Sequence, residues 1–230
     1  MSLMSFHDII NPKTEGGKTI RSIVAIILSV AIIVLILFAI SGTWPAFFAV
    51  KSGSMEPNIM TYSLVFIVEE NRFGGLQTEK EAKDSKSDKI FNGYGDVIVY
   101  KPNGIEGKTP IIHRAIKRVN DEEADAEGYN GKHAGIITKG DNNKTEDQNA
   151  NFSEYGKIEP VKDEWIVGKA LFAIPLIGWI PLHIFWSLLI AIAIIIIIEI
   201  VSRIIVKNKK KNTSGRTERR EPTHSLQKKK

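Results

Sequence analysis

Ser52-Gly53-Ser54-Met55-Glu56-Pro57 lies just past a long uncharged run, with Ile111-Ile112-His113-Arg114 and Lys139-Gly140-Asp141-Asn142-Asn143 downstream. A serine hydroxyl is a weak nucleophile alone; it needs a base within hydrogen-bond reach and a third group that orients the base. Ser54, His113 and an aspartate at Asp141 or Asp147 supply those side-chain types. Taken alone, Ser52-Gly53-Ser54 reads more readily as a tight turn, with serine and glycine present for backbone reasons.

Upstream of this run, Ser22 to Ile40 holds 19 residues without a charge, and Ala170 to Ile198 holds 29 more. About 20 apolar residues suffice to cross a hydrocarbon core of roughly 30 Å, so two transmembrane helices are predicted, at 22–41 and 182–206. The first run is longer than the roughly 7–15 residues of a cleaved secretory signal core, which favours a retained anchor. The second starts late because Pro175 and Pro181 interrupt its beginning. The organisation that follows is a cytoplasmic segment over 1–21, an extracytoplasmic β-rich domain over 42–181, and a basic disordered cytoplasmic tail over 207–230.

Residues 51–169 carry 17 Lys+Arg against 21 Asp+Glu, which leaves 14 against 5 for the flanks. Short basic segments beside a span stay cytoplasmic, whereas a long central domain translocates largely regardless of its charge. Both termini are therefore expected inside a plasma membrane crossed twice, with the central domain outside. The tail carries Lys209, Lys210, Lys211, Arg219, Arg220 and Lys228 to Lys230 without an interleaved aromatic to stack on bases. It reads as a topology determinant, and nucleic acid is not an expected partner. The absence of cysteine excludes disulfides, thiolate nucleophiles and cysteine metal sites.

Between the spans, β-branched and apolar runs recur at Tyr62–Val68, Asp96–Tyr100, Ile111–Val119, Gly135–Thr138 and Trp165–Phe172, bounded by turn-rich segments. The fold class expected is mainly β, anchored by N-terminal and C-terminal transmembrane helices. Residues 71–89 and 121–132 are polar excursions, the second closing a hairpin between the His113 and Gly135 strands.

Ser54-Met55-Glu56-Pro57 after a membrane anchor resembles the nucleophile box of the type I signal peptidases. The likeness continues in order through Gly95-Asp96-Val97-Ile98-Val99-Tyr100, Ile111-Ile112-His113-Arg114, Lys139-Gly140-Asp141-Asn142-Asn143, and Val167-Gly168-Lys169 with Ile174-Pro175 and Gly178. It covers about residues 44–180. Bacterial-type members place a lysine where His113 stands, so the chain is similar to the archaeal and endoplasmic-reticulum (Sec11-like) type, and an archaeal source is expected.

The resemblance implies a membrane-bound serine endopeptidase that removes signal peptides from secretory preproteins after small residues at −1 and −3. Ser54 is then the nucleophile, His113 the base, Asp147 the group orienting His113, and Asp141 a supporting acid, with the two aspartates open to exchange. Histidine suits the task because its unperturbed pKa lies near working pH. The Ser54 amide and the Ser52 hydroxyl are candidates for stabilising the oxyanion. Preproteins, the lipid bilayer and the Sec translocon are the partners implied. No motif suggests a metal, nucleotide or redox cofactor, and the acidic loop lacks the ligand spacing of an EF-hand.

Two other readings stand beside this one. Ile116-Lys117-Arg118-Val119 resembles the bacterial lysine box, with Lys117 four residues from His113 along one strand, which would make a Ser/Lys peptidase. A non-catalytic membrane adaptor binding signal sequences through the same groove is the other. Among the remaining histidines, His7 and His224 lie in the flanks, His133 in a loop and His183 beside the second span. Asn143-Lys144-Thr145, Asn151-Phe152-Ser153 and Asn212-Thr213-Ser214 match the glycosylation acceptor pattern.

Overall fold

Uncharged, β-branched sequence at both ends becomes helix, because long apolar segments satisfy their backbone internally. The computed structural model describes residues 15–218. Helix α1 covers Glu15–Ser41, several residues earlier than the span predicted from Ser22. Within it Gly17–Ser41 is long and apolar enough to cross a membrane, and so is Ile184–Ile205 near the other end. His7, His224 and the basic cluster Arg219, Arg220 and Lys228 to Lys230 lie outside the described residues.

The chain forms two compact units, one ending at Leu182 and one beginning at His183. The second unit is the helix Ile184–Glu218, whose backbone runs on into the segment read as a disordered tail.

In the first unit, the sequence order is β1 (Phe47–Ala49), β2 (Leu64–Val68), α2 (Glu79–Asp84), β3 (Val97–Tyr100), β4 (Ile111–Val119), α3 (Asp121–Ala126), β5 (Gly135–Lys139), β6 (Asn151–Phe152), β7 (Gly156–Lys157), β8 (Ile166–Ile174) and α4 (Trp179–Leu182). Six strands pair antiparallel in the order β1-β2-β8-β3-β4-β5, and β6 with β7 makes a small separate hairpin. The expectation of a mainly β domain flanked by apolar helices holds.

All four residues of β3 are buried, as a central strand covered on both faces requires. Val97 and Val99 pack with Val50, Met55, Ile59, Val65 and Ile67 on one face. Ile98 and Tyr100 pack with Ala115, Ile136, Ile158 and Val161 on the other. Leu37 of α1 packs on Ala46, Phe66 and Val68, while the Ser41 hydroxyl donates to the Ile67 carbonyl at 2.9 Å, so the end of α1 is fixed to the sheet.

The two polar excursions each contain a short helix. Thr78 with Glu81 caps α2 and Asn120 with Glu123 caps α3, each a reciprocal pair between the N-cap and third helical residue. The segment 121–132 closes a β4–β5 hairpin as read from the sequence. The pairing of β4 with β5 shifts register between Ala115 and Lys117. Such a bulge inserts one residue and reverses the alternation of faces beyond it.

Candidate active site

Strand alternation sends neighbouring side chains to opposite faces, and β4 uses this at His113 and Arg114. Both are buried, and each meets one of the two candidate aspartates. His113 Nδ1 lies 2.6 Å from Asp147 Oδ2, whereas Arg114 grips Asp141 with two parallel bonds, Nε to Oδ1 at 2.8 Å and Nη2 to Oδ2 at 2.7 Å. The strand therefore distributes the two carboxylates: Asp147 faces the histidine and Asp141 faces the arginine.

Ser54 reaches the free side of the imidazole. Its Oγ lies 2.9 Å from His113 Nε2, and Ser52 Oγ lies 3.2 Å from Ser54 Oγ. The segment carrying Ser54 is fastened by the two residues that follow it. Met55, fully buried, inserts into the core beside Val50 and Ile59. Glu56 turns back to accept from the Thr61 hydroxyl at 2.7 Å and the Thr61 amide at 3.1 Å. Those bonds hold the Glu56 carboxyl below its usual range.

The Asp141 loop reaches over to the same segment. The Asn142 amide donates to the Ser54 carbonyl at 2.8 Å, the Asn142 side chain donates to the Gly53 carbonyl at 3.0 Å, and Asn58 donates to Asp141 Oδ2 at 2.8 Å. Gly140 is required there, since a Cβ on it would stand 2.6 Å from the Ser54 carbonyl oxygen. Asp141 is thus tied to the loop that meets the Ser54 backbone, while His113 takes the other carboxylate.

Asp147 is 1% exposed and opens a one-turn 3₁₀ segment over Asp147–Asn149. Besides the imidazole, its Oδ2 accepts from Tyr100 OH at 2.8 Å and from Thr138 Oγ1 at 2.6 Å. Burial, and then the charge of Asp147, pushes the Tyr100 phenol well above its ordinary pKa, so it keeps its proton and remains a donor. Gln148 secures the neighbouring turn, its Oε1 accepting from the Thr138 amide at 3.0 Å.

The structure contradicts Lys117 as the base. The bulge after Ala115 pairs Lys117 with Ile137, on the face opposite His113 and Thr138. There Lys117 Nζ binds both oxygens of Glu127, at 2.6 and 2.8 Å, and sits over the Tyr129 ring. Four residues along an unbroken strand share a face; four residues across a bulge do not. His133 is likewise engaged elsewhere, 3.1 Å from Glu159 and edge-on to Trp165.

A cleft of about 820 Å³ opens on Ser54 and His113. Phe48, Val50, Val99, Ile111, Ile112 and Tyr155 are among the residues that line it. Among the described residues, strand β1 pairs with β2 alone, so its outer edge borders this cleft unpaired within the sheet.

Sequence reasoning missed Tyr100, Thr138, Arg114 and Asn58 as parts of the site. Arg114 stood beside His113 in the motif, so strand alternation was a usable signal for its opposite partner. For Tyr100 and Thr138 no signal existed, because an apolar strand with a terminal tyrosine reads as core.

No family model matches the chain. It is 29% identical over 136 residues to a protein of Eremothecium gossypii named signal peptidase complex catalytic subunit SEC11, a match covering 58% of this chain and 62% of that protein. It is 32% identical over 136 residues to the protein of the same name from Saccharomyces cerevisiae strain YJM789, covering 59% and 63%. The chain thus matches less than two thirds of the length of these relatives.

Proposed function

We propose, since the chain is a Sec11-like member of the type I signal peptidase family, that it is a membrane-bound serine endopeptidase cutting signal peptides from secretory preproteins. The observation that carries this reading is the line from Ser54 Oγ through His113 to Asp147, with contacts of 2.9 and 2.6 Å. In the proposed reaction Ser54 Oγ attacks the scissile carbonyl carbon while His113 Nε2 takes the hydroxyl proton. Asp147 holds Nδ1–H and stabilises the imidazolium that forms. The oxyanion is met by the Ser52 hydroxyl and the Ser54 amide. His113 then gives its proton to the departing amine, and water, deprotonated in turn by His113, releases the acyl group.

An extended peptide laid along the free edge of β1 would gain backbone hydrogen bonds and bring its scissile bond to Ser54. Alternate residues of such a strand point the same way. Positions −1 and −3 would therefore face the apolar wall of Phe48, Val50, Val99 and Ile112 together, which accounts for a shared demand for small side chains there.

The two apolar helices support a membrane protein. The finer placement proposed is a plasma membrane, archaeal in type, with both termini cytoplasmic, the catalytic domain outside and the Sec translocon as neighbour. Trp44, Leu171, Phe172 and Leu176 are exposed, and Phe172 stacks on Phe66, whose strand pairs with β1. This apolar rim is proposed to rest in the outer interface. Alanine at Trp44, Leu171 and Phe172 together is expected to slow cleavage of a vesicle-embedded preprotein and spare a soluble peptide; equal effects on both would refute it.

The reading itself is tested with a detergent-solubilised preprotein carrying alanine at −1 and −3. Wild type and Lys117→Ala are expected to cut it at that bond, and a bulky residue at −1 to block cutting. An inactive wild type, or an active Ser54→Ala, would overturn it.

A further inference from the structure

Asp147 Oδ2 receives three donors, and they come from three adjacent strands: Tyr100 from β3, His113 from β4 and Thr138 from β5. We infer that Tyr100 and Thr138 are positioning residues for the proposed peptidase reaction, two hydroxyls that fix the Asp147 carboxylate so that it can hold His113 toward Ser54. The inference rests on the serine-peptidase reading of the site.

The hydrogen inventory supports it. Each hydroxyl owns one hydrogen. Thr138 Oγ1 is 2.6 Å from Asp147 Oδ2 but 3.2 Å from Tyr100 OH, so its hydrogen goes to the carboxylate. The Gln148 amide donates to Thr138 Oγ1 from 3.4 Å, occupying a lone pair and leaving that hydrogen aimed at Asp147. Tyr100 keeps its proton through burial and sends it to the same oxygen at 2.8 Å. A carboxylate on a single turn of 3₁₀ helix can swing about its side-chain bonds, and the imidazole alone would restrain it with one bond. Two further bonds from strands on either side of His113 remove that freedom.

The arrangement also answers a cost of burial. Asp147 and His113 are 1% and 3% exposed. A buried carboxylate facing a neutral imidazole lacks a full counter-charge and depends on hydrogen bonds for compensation. As the proton moves from Ser54 to His113, the donors already stand in place and need no reorganisation. Both hydroxyls bond to Asp147 rather than to Ser54, so their effect passes through the carboxylate.

The test uses Tyr100→Phe, Thr138→Val and Thr138→Ser, none of which changes side-chain volume greatly. Two rates are measured on the full detergent-solubilised chain: preprotein cleavage, and labelling of Ser54 by a fluorophosphonate, which needs the activated hydroxyl but no preprotein. Tyr100→Phe and Thr138→Val are each expected to lower kcat and the labelling rate about tenfold to a hundredfold, the scale of one hydrogen bond to a charged group. KM should stay within about twofold, and Thr138→Ser should restore both rates, since it returns the hydroxyl without the methyl. Wild-type rates in both Tyr100→Phe and Thr138→Val would overturn the inference, as would equal losses in Thr138→Val and Thr138→Ser. If wild type labels at Ser54 but cuts no preprotein, the substrate reading fails while the labelling rates still decide the positioning roles; absence of both reactions in wild type overturns the two together.

Discussion

Ser54→Ala is expected to lower kcat for preprotein cleavage by about 10⁶-fold, and Asp147→Asn by about 10³- to 10⁴-fold, with the fold retained in both. The first removes the oxygen placed 2.9 Å from His113 Nε2. The second is graded by chemistry. An asparagine carbonyl at the Oδ2 position could still accept from Tyr100, Thr138 and His113 Nδ1, so geometry survives. What is lost is the negative charge that stabilises the imidazolium, and an amide nitrogen turned toward His113 would select the wrong tautomer. Single-turnover cleavage at matched protein concentration measures both. Loss of less than tenfold in Asp147→Asn would mean that the carboxylate charge contributes little to the step.

Arg114→Ala is expected to produce the largest loss of stability, about 3–5 kcal/mol, the scale for removing one partner of a buried ion pair. Arg114 does more than neutralise Asp141. Its Nη1 donates to the Ile90 and Gly95 carbonyls at 3.0 and 2.7 Å, and its Nη2 to the Phe91 carbonyl at 3.2 Å. Alanine would take the arginine donor from the Gly95 and Phe91 carbonyls and from Asp141 Oδ1, leaving the nearly buried carboxylate held by Asn58 alone among the side chains that grip it and without its counter-charge. Gly93 shows how closely the loop is folded around this group, because a Cβ there would approach the guanidinium to 2.6 Å. Thermal unfolding in detergent should shift down by about 10 °C or more. Arg114→Lys should recover only part of it, since one ammonium cannot form the two-pronged bond to Asp141 and reach the loop carbonyls as well. A shift of less than about 3 °C for alanine would show that the network does not hold the loop.

Much of the site was legible because its chemistry is written in uncommon residue types. Ser54, His113, Asp141 and Asp147 stood out from the sequence, and the structure brings His113 and Asp147 together while sending Asp141 to Arg114. The short helices were legible in principle, since Thr78 with Glu81 and Asn120 with Glu123 spell capping pairs. Strand β1 was not: three residues, Phe47–Ala49, carry too little alternation to be told from an apolar surface.

The sequence by itself determined the apolar helices, the strand-forming runs and the inventory of reactive groups, because hydrophobic length and period act locally along the chain. Only the tertiary structure decided partners. A bulge at one residue of β4 carried Lys117 to the far face. Alternation at His113 and Arg114 divided the aspartates. The pairing of β3, β4 and β5 converged Tyr100, His113 and Thr138 on a single oxygen. Each of these depends on strand register and bulge placement, and both are fixed by cross-strand packing between segments far apart in the chain.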